Sequence, residues 1–149
     1  MIAVIQRCSQ GKVTVSDKVV GEISHGLVIL LGVQKNDTEN DAEFLVNKIC
    51  GLRIFNDEND KMNLSIKDVN GSALVISQFT LCGDTKKGRR PSFIKAATPD
   101  DGNRLYEYFM SEMKKDGVPL ESGEFGAMMD VELVNNGPVT IILDSRDKS

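Results

Sequence analysis

Ile2-Ala3-Val4-Ile5-Gln6-Arg7-Cys8-Ser9-Gln10-Gly11-Lys12-Val13-Thr14-Val15-Ser16-Asp17-Lys18-Val19-Val20-Gly21-Glu22-Ile23 is the stretch that decides the fold. Ile2 to Cys8 has the β-branched composition of a strand. Gln10-Gly11 predicts a turn, Val13-Thr14-Val15 resumes an extended segment, and Asp17-Lys18 is expected as a two-residue turn into Val19 to Ile23. A strand followed directly by a hairpin commits the chain to antiparallel pairing. Leu27 to Val33 is apolar almost throughout, the pattern of a strand covered on both faces.

Working outward, Thr38-Glu39-Asn40-Asp41 has the spacing of a capping box. Ala42, Leu45, Val46 and Ile49 then recur at helical spacing until Gly51. Leu52 to Phe55 reads as a short strand and Asn56 to Asp60 as a polar loop. Asn70-Gly71 turns the chain into Ser72 to Leu81, another nearly continuous apolar strand. Thr98-Pro99-Asp100-Asp101 starts a second helix: a cap, a proline at the first position, and acids where the macrodipole favours them. Leu105, Tyr108, Phe109 and Met113 form its buried stripe, and Gly117 ends it. Strands are expected at Leu120 to Ser122, Met128 to Val134 and Val139 to Asp144, the last two joined by Asn135-Asn136-Gly137-Pro138. Eight or nine strands with short links and two main helices predict an α+β fold with a mostly antiparallel, barrel-like curved sheet.

The 149 residues suit one domain spanning 1–149, with residues 145–149 expected as a loose polar tail. The 40% hydrophobic content can fill one core without staples. No apolar run approaches the roughly 18–20 residues of a membrane span, and the N-terminal residues lack the pattern of a signal peptide. A soluble, cytoplasmic protein with no membrane partner is expected. Cys8, Cys50 and Cys82 are widely spaced and odd in number, the pattern of buried thiols rather than of a disulfide framework or zinc knuckle. One histidine, His25, cannot supply a common catalytic zinc site, so neither metal nor cofactor is expected. The net charge of −4 argues against coating nucleic acid non-specifically and leaves room for a small local contact.

Four stretches stand out chemically. Ser77-Gln78-Phe79-Thr80-Leu81 crowds two hydroxyls and an amide at the end of a strand otherwise expected to be buried, where a polar group needs partners. Strand alternation would send Gln78 and Thr80 to one face together. Asn135-Asn136-Gly137-Pro138-Val139-Thr140 reads as an ordinary turn between strands. With a cis Gly137-Pro138 bond it would instead hold two carbonyls rigidly, without a side chain at Gly137. Lys86-Lys87-Gly88-Arg89-Arg90 places four cations in five residues of an acidic chain, either a solvated loop or a phosphate contact. Ser122-Gly123-Glu124-Phe125-Gly126-Ala127-Met128 is a glycine-bracketed loop open to close approach by a ligand, without the lysine and context of a P-loop. His25 lies in a turn, and nothing sets it beside a nucleophile, so a Ser–His–Asp mechanism is disfavoured.

Taken together, Ile5-Gln6-Arg7, Ser77-Gln78-Phe79-Thr80-Leu81, Arg90-Pro91-Ser92-Phe93 and Asn136-Gly137-Pro138-Val139-Thr140 resemble the D-aminoacyl-tRNA deacylase family, in order and spacing, from Met1 to about Leu143. The resemblance implies a cytosolic homodimer that hydrolyses the ester between a D-amino acid, or glycine, and the 3′-terminal adenosine of tRNA, as a proofreader. It implies that Gly137-Pro138 is a cis dipeptide inserted into the partner subunit's pocket, that Arg7 helps to hold it, and that Ser77, Gln78, Phe79 and Thr80 line the aminoacyl-adenosine pocket. Phe125, Gly126, Ala127 and Met128 are expected against the adenosine. An activated ester needs little more than a positioned water and donors aimed at the oxyanion. Thr80 is therefore read as positioning, with main-chain donors at Phe79 and Thr80. Lys86, Lys87, Arg89 and Arg90 are the candidate tRNA phosphate contacts. The alternatives are a non-catalytic RNA- or nucleotide-binding barrel, and a hydrolase of small esters or D-aminoacyl peptides.

Overall fold

Strand β1 (Ile2–Val15) organises the molecule by pairing along both of its edges. The computed structural model describes residues 1–147. On one side, the first half of β1 pairs antiparallel with β3 (Gly26–Gly32), from Ile2 opposite Gly32 to Cys8 opposite Gly26. The second half pairs with β2 (Lys18–Ile23). The turn expected at Gln10-Gly11 is absent. β1 runs on through Gly11, where a Cβ would lie 2.9 Å from the Val28 side chain, so the glycine serves close packing on an unbroken strand. The hairpin turn falls one residue earlier than expected. Ser16 and Asp17 take φ of 48° and 67°, the positive pair that matches the twist of flanking strands.

Helix α1 (Glu39–Gly51) starts at Thr38, whose N–H donates to Asp41 Oδ2 at 2.8 Å, half of the expected capping box. β4 (Phe55–Asn56) and β5 (Met62–Leu64) form a small hairpin apart from the main sheet. The Asp57 carboxylate clasps its turn, taking bonds from Asn63 Nδ2, Asn59 N and Lys61 N. Those donors, the Asn63 side chain foremost, hold its carboxyl below the usual range.

β6 (Ser72–Ser77) lies parallel to β3, and β7 (Leu120–Ser122) lies parallel to β6. A parallel neighbour requires a crossover, and α1 and α2 (Pro99–Lys115) provide the two. Both helices pack on one face of the sheet. There Ala3, Ile5, Leu27, Ile29, Leu31, Ala73 and Val75 meet Leu45, Ile49, Leu105, Tyr106 and Phe109. Tyr106, absent from the expected stripe, is fully buried and donates its hydroxyl to Val75 O at 2.9 Å. Tyr108 is half-buried and donates to Glu43.

The opposite face curls on itself around a second core of Cys8, Val13, Ile23, Val28, Leu74 and Ile76. β2 swings round to β7 so closely that a Cβ on Gly21 would lie 2.6 Å from Ser122 O, which nearly closes the barrel. The expected α+β class with a barrel-like sheet and two helices is what the chain adopts, with eight strands among the described residues.

β8 (Asp130–Asp144) is one strand where two were expected, paired with β1 from Asp144 opposite Ile2 to Asp130 opposite Thr14. Ser145–Asp147, expected to open a loose tail, instead form a 3-10 turn. Ser145 is fully buried: its Oγ accepts from the Met1 amine at 2.9 Å, and its N–H bonds Met1 O. The rest of the expected tail, 148–149, lies outside the described residues. No helix among the described residues is long and apolar enough to cross a membrane.

Candidate active site

β3, β6 and β7 point the same way, so their C-terminal ends gather at one rim of the sheet. Leu31 is opposite Ser77, and the chain leaves β7 just beyond, where Gly123 N donates to Val75 O at 3.1 Å. The hydroxyl-rich segment emerges at this rim in a form the sequence did not convey. The strand stops at Ser77, and Phe79–Cys82 form a 3-10 turn rather than the strand end expected. Gln78 N bonds Leu31 O at 2.8 Å, the last rung of the ladder, after which Leu81 N folds back to Gln78 O. The N–H groups of Phe79 and Thr80 precede that first 3-10 bond, so neither has an acceptor inside the turn.

Alternation therefore does not explain why Gln78 and Thr80 meet, although they do. Gln78 Nε2 donates to Thr80 Oγ1 at 2.5 Å. Thr80 is exposed, Ser77 and Gln78 are half-buried, and Phe79 is 58% exposed with its ring edge-on to Phe93 at 5.1 Å. An exposed aromatic pair beside polar groups is a platform able to take a flat, apolar partner.

The glycine-bracketed loop leaves the neighbouring strand at the same rim. A Cβ on Gly123 would touch the Met129 sulfur at 2.7 Å and the Ile76 side chain at 3.8 Å, which ties the loop to the strand that carries Ser77. Phe125 turns inward onto Tyr106 with ring centroids 5.9 Å apart. Gly126 takes φ +78°, and Met128 stands 90% exposed. β8 begins only at Asp130, so Met128 belongs to the loop and not to the strand expected to start there. The basic residues Lys86, Lys87, Arg89 and Arg90 are all exposed, in a loop whose neck is closed by paired Asp84 and Ser92 main chains at 2.8 and 2.9 Å. Phe93, just past that neck, joins the loop to Phe79.

Arg7 and Gly137-Pro138 form a separate cluster. In the β1–β8 ladder Gln6 faces Thr140 and Cys8 faces Asn135, so Arg7 alone stands opposite Asn136, Gly137, Pro138 and Val139, which arch out as a bulge. The Gly137-Pro138 bond is cis, Gly137 takes φ +143°, and both residues are exposed. Arg7, only 6% exposed, donates from Nε to Asn136 O at 2.8 Å and from Nη1 to Ile54 O at 2.9 Å and Asn56 Oδ1 at 3.1 Å. The sequence offered no signal for Ile54 and Asn56. One acts through its main chain, and the other sat in a segment read only as a polar loop.

The two clusters lie towards opposite ends of β3. Arg7 pairs with Leu27, and Ser77 with Leu31. Four residues along β3 at roughly 3.3 Å each put them about 13 Å apart along the strand direction. His25 belongs to the Arg7 end, exposed and edge-on to Phe55 at 5.3 Å, remote from Thr80. All three cysteines are buried free thiols, and no group of three or more His, Cys, Asp or Glu side chains is placed to hold a metal ion among the described residues.

The family model described as D-Tyr-tRNA(Tyr) deacylase matches residues 4–144. The chain belongs to the D-aminoacyl-tRNA deacylase family. Relatives named D-aminoacyl-tRNA deacylase include one from Thermotoga petrophila, 57% identical over 97% of both chains, and one from Koribacter versatilis, 56% identical over 98% of both. Among solved structures, a c-Myc DNA unwinding element binding protein superposes with a TM-score of 0.92 at 37% identity, over 97% of this chain and 98% of its own. A structure described as a probable eukaryotic D-amino acid tRNA deacylase shares the fold at TM-score 0.79 and 20% identity, covering 96% and 98%. Membership of the deacylase family makes the chain an enzyme, a hydrolase acting on D-aminoacyl-tRNA, and displaces the reading of a non-catalytic barrel.

Proposed function

We propose that the protein proofreads aminoacyl-tRNA by hydrolysing the ester between a D-amino acid, or glycine, and the 3′-terminal adenosine, in a pocket at the Ser77–Thr80 rim. The observation that carries this reading is the pairing of a polar, half-exposed segment, Ser77 to Thr80, with the exposed Phe79–Phe93 platform. The aminoacyl-adenosine presents an ester to the first and a flat base to the second. The Phe125 to Met128 loop, leaving the adjacent strand, is the proposed second wall against the adenosine. Lys86, Lys87, Arg89 and Arg90 are the proposed contacts to tRNA phosphates nearby. Such a substrate places the activity in the cytoplasm.

The ester is already activated, so the chain's part is to orient it and stabilise the developing oxyanion. The Phe79 and Thr80 N–H groups, without intrahelical acceptors, are the donors of choice. Thr80 Oγ1 accepts from Gln78 Nε2, an arrangement that orients the hydroxyl and draws electron density from it. Among the described residues its hydroxyl has no bond to a His, Asp or Glu side chain, so positioning, not nucleophilic attack, is its proposed role. The neighbouring ribose hydroxyl of the tRNA assists the attacking water.

Chirality is the proposed task of Gly137-Pro138. At about 13 Å along β3 from Ser77, the bulge stands apart from its own chain's rim. The pocket it is proposed to serve is that of a second copy, in a homodimer. Its exposed backbone would then block an L side chain, while glycine passes for want of one.

The test is deacylation of matched D-tyrosyl- and L-tyrosyl-tRNA by the purified protein with chelator present, alongside sedimentation analysis. Release of the D ester alone by a dimer is the expected result. Equal cleavage of both esters would remove the proposed role of Gly137-Pro138. A stable monomer would remove the cross-subunit arrangement, and turnover of small esters without tRNA would favour a general esterase.

A further inference from the structure

The bulge leaves the β1–β8 ladder at Asn135 and rejoins it at Thr140, so its main chain loses the strand partners that flank it. One side chain replaces them. Asn135 Oδ1 accepts from Val139 N at 2.7 Å, while Nδ2 donates to Thr140 Oγ1 at 3.0 Å and to Val139 O at 3.4 Å. The amide orientation is set by chemistry, because the Val139 N–H requires an oxygen opposite it. The neck of the bulge is thus tied across its base by Asn135, while Arg7 holds its outgoing limb through Asn136 O. These ties act on different parts of the loop: Arg7 anchors it to the sheet, and Asn135 fixes the separation of its two stems.

We propose that Asn135 is a positioning residue for substrate discrimination, setting how far and at what angle Gly137-Pro138 protrudes, and acting through Val139 without touching substrate. The proposal rests on the reading of the bulge as the chirality gauge. A gauge that excludes a side chain sterically works only if its wall cannot retreat, since a shift of about 1 Å undoes such a constraint. A loop tied at one limb can swing; tied also across its neck, it cannot.

The test compares native protein with Asn135→Ala, Asn135→Asp and Gly137→Ala. It reads kcat/KM on D-tyrosyl- and L-tyrosyl-tRNA, together with the melting temperature. Asn135→Ala is expected to lower the D:L ratio at least about tenfold, the effect of losing one well-made hydrogen bond, with little change in melting temperature. Asn135→Asp keeps the acceptor for Val139 N and is expected to hold the ratio within about threefold. If Gly137→Ala collapses the ratio while Asn135→Ala leaves it native, the role of Asn135 is overturned and the gauge stands. If Gly137→Ala leaves the ratio native, the gauge reading itself falls. Should Asn135→Ala not fold, a tenfold loss of the ratio in a folded Asn135→Asp would overturn the assignment, because the bond argued to matter is retained there.

Discussion

Arg7 is bonded to the main chain of Asn136 through Nε at 2.8 Å, and the same guanidinium reaches Ile54 O and Asn56 Oδ1 through Nη1. One buried cation thereby joins three segments far apart in sequence: β1, the residues leading into β4, and the β8 bulge. Its planar fork matches acceptors lying in different directions, which a lysine ammonium cannot span. Arg7→Lys is expected to destabilise the fold by about 1–3 kcal/mol, the cost of leaving buried carbonyls without a donor. It is also expected to lower discrimination against L-aminoacyl-tRNA. Urea denaturation monitored by circular dichroism and the paired deacylation assay check the two effects separately.

Thr80 offers a sharper mechanistic test. Its hydroxyl accepts from Gln78 and, among the described residues, bonds no His, Asp or Glu side chain, so Thr80→Ala is expected to slow turnover by no more than about a hundredfold, far short of what loss of an essential nucleophile produces. Rapid-quench kinetics of the native enzyme should show no burst of acyl-enzyme. A burst, or complete inactivity of a folded Thr80→Ala, would make Thr80 the nucleophile.

The basic loop is exposed, its neck closed by the Asp84 and Ser92 main chains, and its four charges are the proposed contacts to tRNA phosphates. Neutralising Lys86, Lys87, Arg89 and Arg90 together is expected to raise KM with kcat nearly unchanged. The salt dependence of kcat/KM should flatten by about 3 units of log–log slope if all four touch single-stranded phosphates. Measurement of kcat/KM across a salt series decides this. An unchanged slope would return the loop to a merely solvated surface.

The cysteines should be inert. Burial pushes the Cys8 thiol up to about 11 and the Cys50 thiol up to about 12, the latter with a lesser contribution from Asp116, and burial likewise raises Cys82. At pH 8 roughly one Cys8 in a thousand is thiolate, so native protein should react with Ellman's reagent slowly at all three positions and fully once unfolded. The folded-state values lie above the 9.0 of an ordinary thiol, so the unfolded chain releases these protons first. This contribution to stability is intact below pH 9 and is lost as pH rises through 11 and above. Denaturation midpoints measured between pH 8 and 11 test it.

Periodicity carried most of the architecture. The run Leu27 to Val33 announced the central strand, and the helical spacing of Ala42, Leu45, Val46 and Ile49, with Thr38 before it, located α1. What misled was punctuation. Gln10-Gly11 and Gly137-Pro138 are the residues of turns, yet the first lies within a continuous strand where a side chain would not fit, and the second forms a bulge whose chain rejoins the same strand. Conversely, Gln78 to Leu81 look extended and are coiled, because the ladder ends when Gln78 takes its last partner on Leu31. Ser77, Gln78, Phe79 and Thr80 were singled out because hydroxyls and an amide are conspicuous in an apolar run. Ile54 and Asn56 were not, since what distinguishes them is a neighbour, and Arg7 meets them across nearly fifty residues of chain; Asn135 stood in a stretch that was singled out, but only as part of a turn and with no role of its own.

The bulge opposite Arg7 presents backbone to the outside: Gly137 contributes no side chain, and Pro138 only a ring bonded to its own nitrogen. A surface of this kind has almost no letters to change. Side-chain pockets drift by substitution, one methyl group at a time, and so acquire new preferences easily. A wall of peptide groups can be altered only by rerouting the chain, and the chain here is fastened to the strand that runs through both cores. What this loop is proposed to exclude is therefore a matter of geometry, and relaxing it means changing the ties at its base rather than the residues that line it.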